Sequence, residues 1–131
     1  MKNPTLARLT HALLRIVSGF LMAPHGAAKL FGWFGGMQGH AAPRFLDLLW
    51  VAGVIEFFGG ALLALGAFTR PVAFIMSGEM AVAYFKGHAR GGFWPIVNHG
   101  ELAVLYCFIL LFIAAAGGGP IGIDALRGKR G

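Results

Sequence analysis

Cysteine, acidic residues and charge of any kind are scarce in this sequence of 131 residues. Cys107 is the single cysteine. One thiol closes no intrachain disulfide and makes no Cys-x-x-Cys pair, which excludes dithiol redox chemistry by the chain alone. Midway along an apolar run, it reads as a small buried apolar side chain. Charged residues make up 12% of the sequence and apolar ones 57%, against about 25% and 45–50% in soluble globular domains. Mean hydropathy is +0.71. The composition is that of a membrane protein. The length accommodates one domain of four short spans, with no soluble catalytic domain beside it. The net charge of +6 raises nucleic acid as a partner, but the Lys and Arg residues are scattered at span ends and form no basic face. The excess fits a positive-inside bias better, with membrane lipid as the partner.

The fold expected is all-α: a polytopic, antiparallel four-transmembrane-helix bundle in a single domain over residues 1–131. Apolar stretches place the spans at about 9–31, 45–68, 71–88 and 99–116. Length and the need to satisfy the backbone inside lipid argue for helix here, because the segments are apolar all round and periodicity is silent. Pro43 and Pro71 stand where helix-opening prolines belong, Pro24 is placed to kink span 1, and Gly117 to Pro120 ends span 4. A cleaved signal peptide is disfavoured because Arg15 breaks the first apolar run and Lys29 follows the small residues Ala27 and Ala28. With four spans, both termini and the 68–71 turn share one side. That side carries Lys2, Arg8, Arg70, Arg127, Lys129 and Arg130, against Lys29, Arg44, Lys86 and Arg90 opposite. The bias puts both termini in the cytoplasm. Trp33, Phe34, Phe93 and Trp94 in the opposite loops suit interfacial anchors.

Against this apolar background stand Glu56, Glu79 and Glu101, each within an apolar run and the only glutamates present. A carboxylate at the centre of a membrane helix costs roughly 2.5–3.5 kcal/mol. Keeping it neutral at pH 7 costs about 3.7 kcal/mol from a reference pKa near 4.3, so neither state escapes a penalty and each glutamate needs a partner at its own depth. Measured along the expected spans, Glu79 lies roughly 12 Å in from Pro71, and Arg15 about 9–10 Å in from the same side. Arg15 and Glu79 are therefore a candidate structural ion pair. Glu56 is placed near mid-bilayer. Glu101 falls within about a turn of the far end, near His25, Lys29, His88, Asn98 and His99.

Two readings of this polar column remain open. Buried pairs can simply fix which helix faces which, with Gly53, Gly59, Gly60 and Gly66 allowing close approach, Lys29 and Lys86 snorkelling, and Gly35–Gly36 and Gly91–Gly92 forming turns. Alternatively His25, Lys29, Glu56, Glu79, His99 and Glu101 line a headgroup or cofactor pocket, since intramembrane ionisable residues are functional candidates. A haem held by His25, His88 or His99 is disfavoured, because haem ligands sit within facing helices and His88 and His99 read as loop-edge residues. No metal centre is expected.

Five stretches in order carry a family resemblance: Pro24-His-Gly-Ala-Ala-Lys-Leu30; Glu56-Phe-Phe-Gly-Gly-Ala-Leu-Leu-Ala-Leu-Gly-Ala-Phe-Thr-Arg70; Gly87-His-Ala-Arg-Gly-Gly-Phe-Trp94; Gly100-Glu-Leu-Ala103; and Gly119-Pro-Ile-Gly-Ile-Asp-Ala-Leu126. Over nearly its whole length the sequence resembles the DoxX family of small four-helix bacterial membrane proteins. The resemblance implies a bacterial inner-membrane location and association with redox systems. The name-giving member is similar to a subunit of a thiosulfate:quinone oxidoreductase, and others look like membrane partners of thiol and superoxide-defence enzymes. The lone Cys107 departs from the disulfide exchange seen in distant relatives.

The function this implies is a non-catalytic subunit or accessory of a redox complex, quinone-linked or tied to thiol and oxidative stress. Such a chain is at most a subunit of an oxidoreductase and not an independent enzyme. A quinone is the cofactor such a role admits: it needs an apolar slot, for which Phe57, Phe58, Tyr84 and Phe85 are candidate walls, and a proton-exchanging group, for which Glu101 or Glu79 with His25 are candidates. Protein partners in a redox complex, or a homo-oligomer, follow from that role. The alternatives are a structural membrane protein without ligand and a small proton-coupled transporter.

Overall fold

In the computed structural model, which describes residues 3–37 and 43–128, the chain is helical with no strand among those residues. Helix α1 (Pro4–Phe31) opens on Asn3, whose side chain accepts from the Leu6 N–H, and closes on Gly32 in the left-handed region. It begins about a turn before Leu9, because Asn3 supplies the N-cap and Pro4 the first helical residue, and it runs on through Pro24. Helix α2 (Leu48–Leu65) starts later than the expected Phe45. A turn forms first: Asp47 donates its N–H to Arg44 O and its side chain accepts from the Arg44 N–H, both at 3.0 Å. Helix α3 (Thr69–Ala83) follows a tight turn and continues into a π-helical turn at Tyr84–His88. The short α4 (Pro95–Asn98), the apolar α5 (Glu101–Ala116) and the short α6 (Ile123–Leu126) complete the chain.

Glycine sets the closest contact in the molecule. Helices α1 and α2 run antiparallel with Gly19 against Gly60 and Ala64, and Gly26 against Gly53 and Phe57. A Cβ on Gly60 would lie 2.7 Å from Ala23 N and 2.8 Å from Gly19 O, so these backbones touch with nothing between them. Lipid gives no hydrophobic drive for helix association, and contact of this kind supplies dispersion instead. Gly59 admits Met76 of α3. Helices α3 and α5 are also antiparallel, joined by Ser77 Oγ donating to Cys107 O at 2.7 Å and Arg70 Nη1 donating to Ala115 O at 2.8 Å. The core between them holds Met22, Leu63, Ala73, Met76, Met80, Tyr106, Leu110 and Ile113. Helices α1 and α5 are not packed along their lengths. Near the termini they are tied by the His11 ring nitrogen on Gly117 O at 2.7 Å and by the His11 and Phe112 rings 5.5 Å apart.

Burial runs opposite to that of a soluble protein. Arg15 is 0% and Glu56 2% exposed, whereas Phe20 is 69% and Phe108 65% exposed. Apolar side chains pointing outward in such number belong against lipid or a partner. Helices α1 and α2 are each long and apolar enough to cross a membrane, and α5 is apolar but shorter. The α1–α2 contact makes an asymmetric prediction. Gly60→Ala lowers stability in detergent by about 1–3 kcal/mol through overpacking. Gly78→Ala on α3, where a Cβ meets nothing within 4 Å, leaves it unchanged or raises it by about 0.5–1 kcal/mol through helix propensity. Thermal or denaturant unfolding of the two variants side by side checks this, and equal effects would contradict the backbone contact.

Candidate polar cavity

Lys29 leaves α1 on a stripe that also carries Arg15, Ser18, Met22 and His25, spaced three and four residues apart on one face, with Arg15, Ser18 and Met22 buried and His25 exposed at the cavity's edge. Its ammonium donates to both carboxyl oxygens of Glu56 on α2, each at 2.6 Å. The pair is buried: the Lys29 side chain is 13% exposed. Glu79 reaches in from α3 beside Glu56, and its Oε2 is buried without a hydrogen-bond partner. Two carboxyl groups side by side in a low-dielectric interior disfavour a second negative charge. One ammonium, one carboxylate and one carboxylic acid sum to zero, and a neutral, internally bonded cluster is the form a low-dielectric interior tolerates. Three helices are thereby stitched at one level.

Beside this triad lies a cavity of about 250 Å³. Met22 and Met80 floor it, Leu102, Ala103 and Tyr106 wall it from α5, and Lys29 and Glu56 form its inner polar end. His25, His88 and His99 stand around it. The covering segment 84–100 is held by Asn98, whose amide donates to Tyr84 Oη at 3.1 Å and to Gly92 O at 3.0 Å. Its Oδ1 accepts from the Gly100 N–H at 2.8 Å, and its carbonyl oxygen lies 3.2 Å from His88 Nδ1. Asn98 and Gly100 are buried. Among the described residues no group of three or more His, Cys, Asp or Glu is arranged to hold a metal.

The DoxX family model matches residues 10–89. The chain belongs to the DoxX family. A protein of Haemophilus influenzae (strain ATCC 51907 / DSM 11121 / KW20 / Rd), described as uncharacterized, is 45% identical over 116 residues, covering 86% of this chain and 87% of its own. No solved structure matches. The DoxX match contains His25, Lys29, Glu56, Glu79 and His88, and ends before His99 and Glu101.

Within this DoxX fold the expected Arg15–Glu79 pair does not form. Arg15 lies level with the α2–α3 turn, its Nη1 against Gly66 and Gly122 and its Nη2 donating to Ile121 O at 2.6 Å. About 21 Å of helix axis separates it from Lys29, the level at which Glu79 sits. The expectation failed because it set the α2–α3 turn at the depth of Leu9, whereas α1 extends roughly three turns beyond that turn. Asp124 is the acid that acts on Arg15 electrostatically, and it also caps α3, accepting from the Phe68 N–H at 3.1 Å and the Thr69 N–H at 2.9 Å. Gly122 at φ 141 brings the C-terminal segment that close. Sequence reasoning passed over Asp124; its signal was an acid two residues past a glycine behind Gly119-Pro120.

Glu101 is at the expected end but on the wrong face. Leu102, Ala103 and Tyr106 turn toward the cavity, while exposed Glu101 sits with Trp94, Pro95, Ile96, Val104 and Leu105 in a separate hollow. Helical phase decides this, since successive residues differ by about 100°; Glu101 then rests in the first turn of α5, where the helix dipole favours an acid. Of the expected walls Phe57, Phe58, Tyr84 and Phe85, none lines the cavity; Tyr84 instead accepts from Asn98 in the segment that covers it. Phe57 instead meets Phe31 edge-on, ring centres 5.2 Å apart. His25 and His99 are brought together with Lys29 and Glu56 at this cavity. The ion pair predicts strong non-additivity: Lys29→Met alone costs about 3–5 kcal/mol by leaving Glu56 buried beside no cation, whereas Lys29→Met with Glu56→Leu recovers most of that loss. Unfolding of the single and double variants in detergent measures the difference, and simple addition of the two losses would show that the groups do not act as a pair.

Proposed function

We propose that this DoxX protein crosses the bacterial inner membrane four times with both termini in the cytoplasm, and serves a redox complex as a non-catalytic, quinone-binding component. The burial of charge and exposure of Phe and Leu support the membrane placement. Burial of Lys29 in the triad removes it from the loop charges on the outer side, leaving Arg44, Lys86 and Arg90 there, which strengthens the positive-inside bias. Residues 2, 129 and 130, which carry part of that bias, lie outside the described residues.

The observation that carries the redox reading is buried Glu56, held by Lys29, at the polar end of a small cavity with apolar walls. The volume of about 250 Å³ falls below the roughly 300–1,000 Å³ of sites for drug-sized ligands, and suits the head of a quinone rather than a whole cofactor. When bound, a quinone supplies two-electron, two-proton redox capacity. This chain's own residues then do three things. Met22, Met80 and Ala103 present an apolar surface to the ring. Glu56, lining the cavity beside Glu79, offers a carboxyl group for proton exchange, and Lys29 fixes it in one orientation. His25, His88 and His99 connect that end to the surface as proton-exchanging groups.

A scaffold without ligand would use the same triad only to specify packing. The two readings part on ligand binding. Titrating decylubiquinone into the purified protein in nanodiscs, with thermal stability and intrinsic fluorescence as readouts, is expected to give a saturable shift. Glu56→Gln and Lys29→Met are expected to weaken it at least tenfold. No saturable binding to the wild-type protein would end the quinone reading and leave the scaffold.

A further inference from the structure

The cavity has a dead end and a mouth, and the two differ in chemistry. At the dead end are Lys29 and buried Glu56. The lining residues that reach the surface are His25 on α1, Leu102 on α5 and His99 just before α5, all exposed, Leu102 by 53%. Leu21, one helical turn before His25, is exposed as well. The mouth therefore lies in the seam between α1 and α5, with apolar flanks.

Along that seam α1 and α5 are far less closely packed than α1 against α2 or α3 against α5. It is closed near the termini by the His11–Gly117 hydrogen bond, the His11–Phe112 ring contact and Gly119 against Ala12, and further in by Met22, which shares one buried core cluster with Tyr106 and Leu110. Beyond Met22, among the described residues, no side-chain hydrogen bond or ring contact joins the two helices. In the direction of the loops, the Asn98-centred hydrogen bonds hold segment 84–100 over the α3–α5 side. The cavity is thus tied shut below, roofed by a hydrogen-bonded cap on one side, and open sideways between Leu21 and Leu102.

We propose that ligand reaches this cavity sideways from the lipid, through the α1–α5 seam, and that the site is built for an amphipathic molecule whose polar head fills the cavity while an apolar tail lies in the seam against Leu21 and Leu102. Size and chemistry agree on this. A cavity of about 250 Å³ holds a head and no more, and an exposed leucine at a polar site's mouth is a poor rim for a water-borne solute but a good one for an alkyl chain. The proposal rests on the head-group reading above and adds the tail, its position and its route.

The test compares two probes on the full-length protein in nanodiscs: decylubiquinone and its tailless ring, 2,3-dimethoxy-5-methylbenzoquinone. The wild-type protein is expected to bind the tailed probe more tightly after correction for partitioning of each probe into the disc. Leu102→Trp fills the seam without touching the polar end, and is expected to weaken the tailed probe at least tenfold while changing the ring by less than threefold. Leu102→Ala, which removes a tail contact without obstructing the seam, is expected to weaken the tailed probe clearly less than Leu102→Trp does and to leave the ring within threefold. Melting of each variant confirms folding, which an exposed position favours. If both probes bind the wild-type protein and Leu102→Trp affects them equally or not at all, the tail does not occupy the seam and the inference is overturned while the cavity stands. If neither probe binds the wild-type protein, the head-group reading has failed and this inference goes with it.

Discussion

The bidentate Lys29–Glu56 contact depends on how closely α1 and α2 approach. Nζ reaches both carboxyl oxygens at 2.6 Å in a pair of helices whose backbones meet at Gly19, Gly26, Gly53 and Gly60. Gly53 itself lies under the Lys29 and Leu30 side chains, where an added Cβ would come within 3.1 Å of Lys29 Cβ. The glycines thus do more than pack helices in a medium that gives no hydrophobic drive; they set the distance at which a buried cation and anion neutralise each other. A wider spacing leaves two half-solvated charges in a low-dielectric interior, and such charges are several kcal/mol worse than paired ones.

Two polar clusters sit at the two ends of the same α1 stripe, and they are finished differently. At the terminal end, Arg15 is enclosed by Gly66, Ile121 and Gly122, and Asp124 closes the assembly by capping α3. The C-cap of α2, the start of α3 and the C-terminal segment all meet α1 there. That arrangement is a clasp. At the loop end, Lys29 and Glu56 border an open volume. Both clusters keep buried polar atoms without a hydrogen-bond partner, Arg15 Nε and Nη1 at one end and Glu79 Oε2 at the other, so it is the adjoining cavity that sets the loop-end cluster apart.

Much of this was legible in the sequence, and what was not has identifiable causes. The all-α class, the approximate helices, the family and the importance of interior charge follow from composition and apolar run length, which depend on no tertiary detail. The glycines of α2 were readable as close-packing positions because lipid leaves few other uses for them. Partner assignment was not readable. Depth was measured from guessed span ends, and an offset of a few turns moved Arg15 from Glu79 to Asp124. Face was not measured at all for α5, so Glu101 was grouped with histidines that border the cavity, which α5 meets through Leu102, Ala103 and Tyr106 instead. The α1 stripe Arg15, Ser18, Met22, His25, Lys29 was visible as a spacing, and it alone would have pointed Lys29 inward rather than toward the interface.

The asymmetry of the seam ties these features together. Helix α1 is bound to α2 by backbone contact over its length, and α5 to α3 by Ser77 and Arg70. The fold is therefore two tight pairs, joined by the α2–α3 turn and clasped at the terminal end by the C-terminal segment. Two rigid pairs fastened at one end must leave their freedom at the other. The triad crosses between the pairs, because Glu79 belongs to one and Lys29 with Glu56 to the other, and it does so toward the loop end, where the seam is open. Glu56 lines the cavity and Glu79 approaches it from the second pair, so the charged groups that bridge the pairs also form the cavity's polar end.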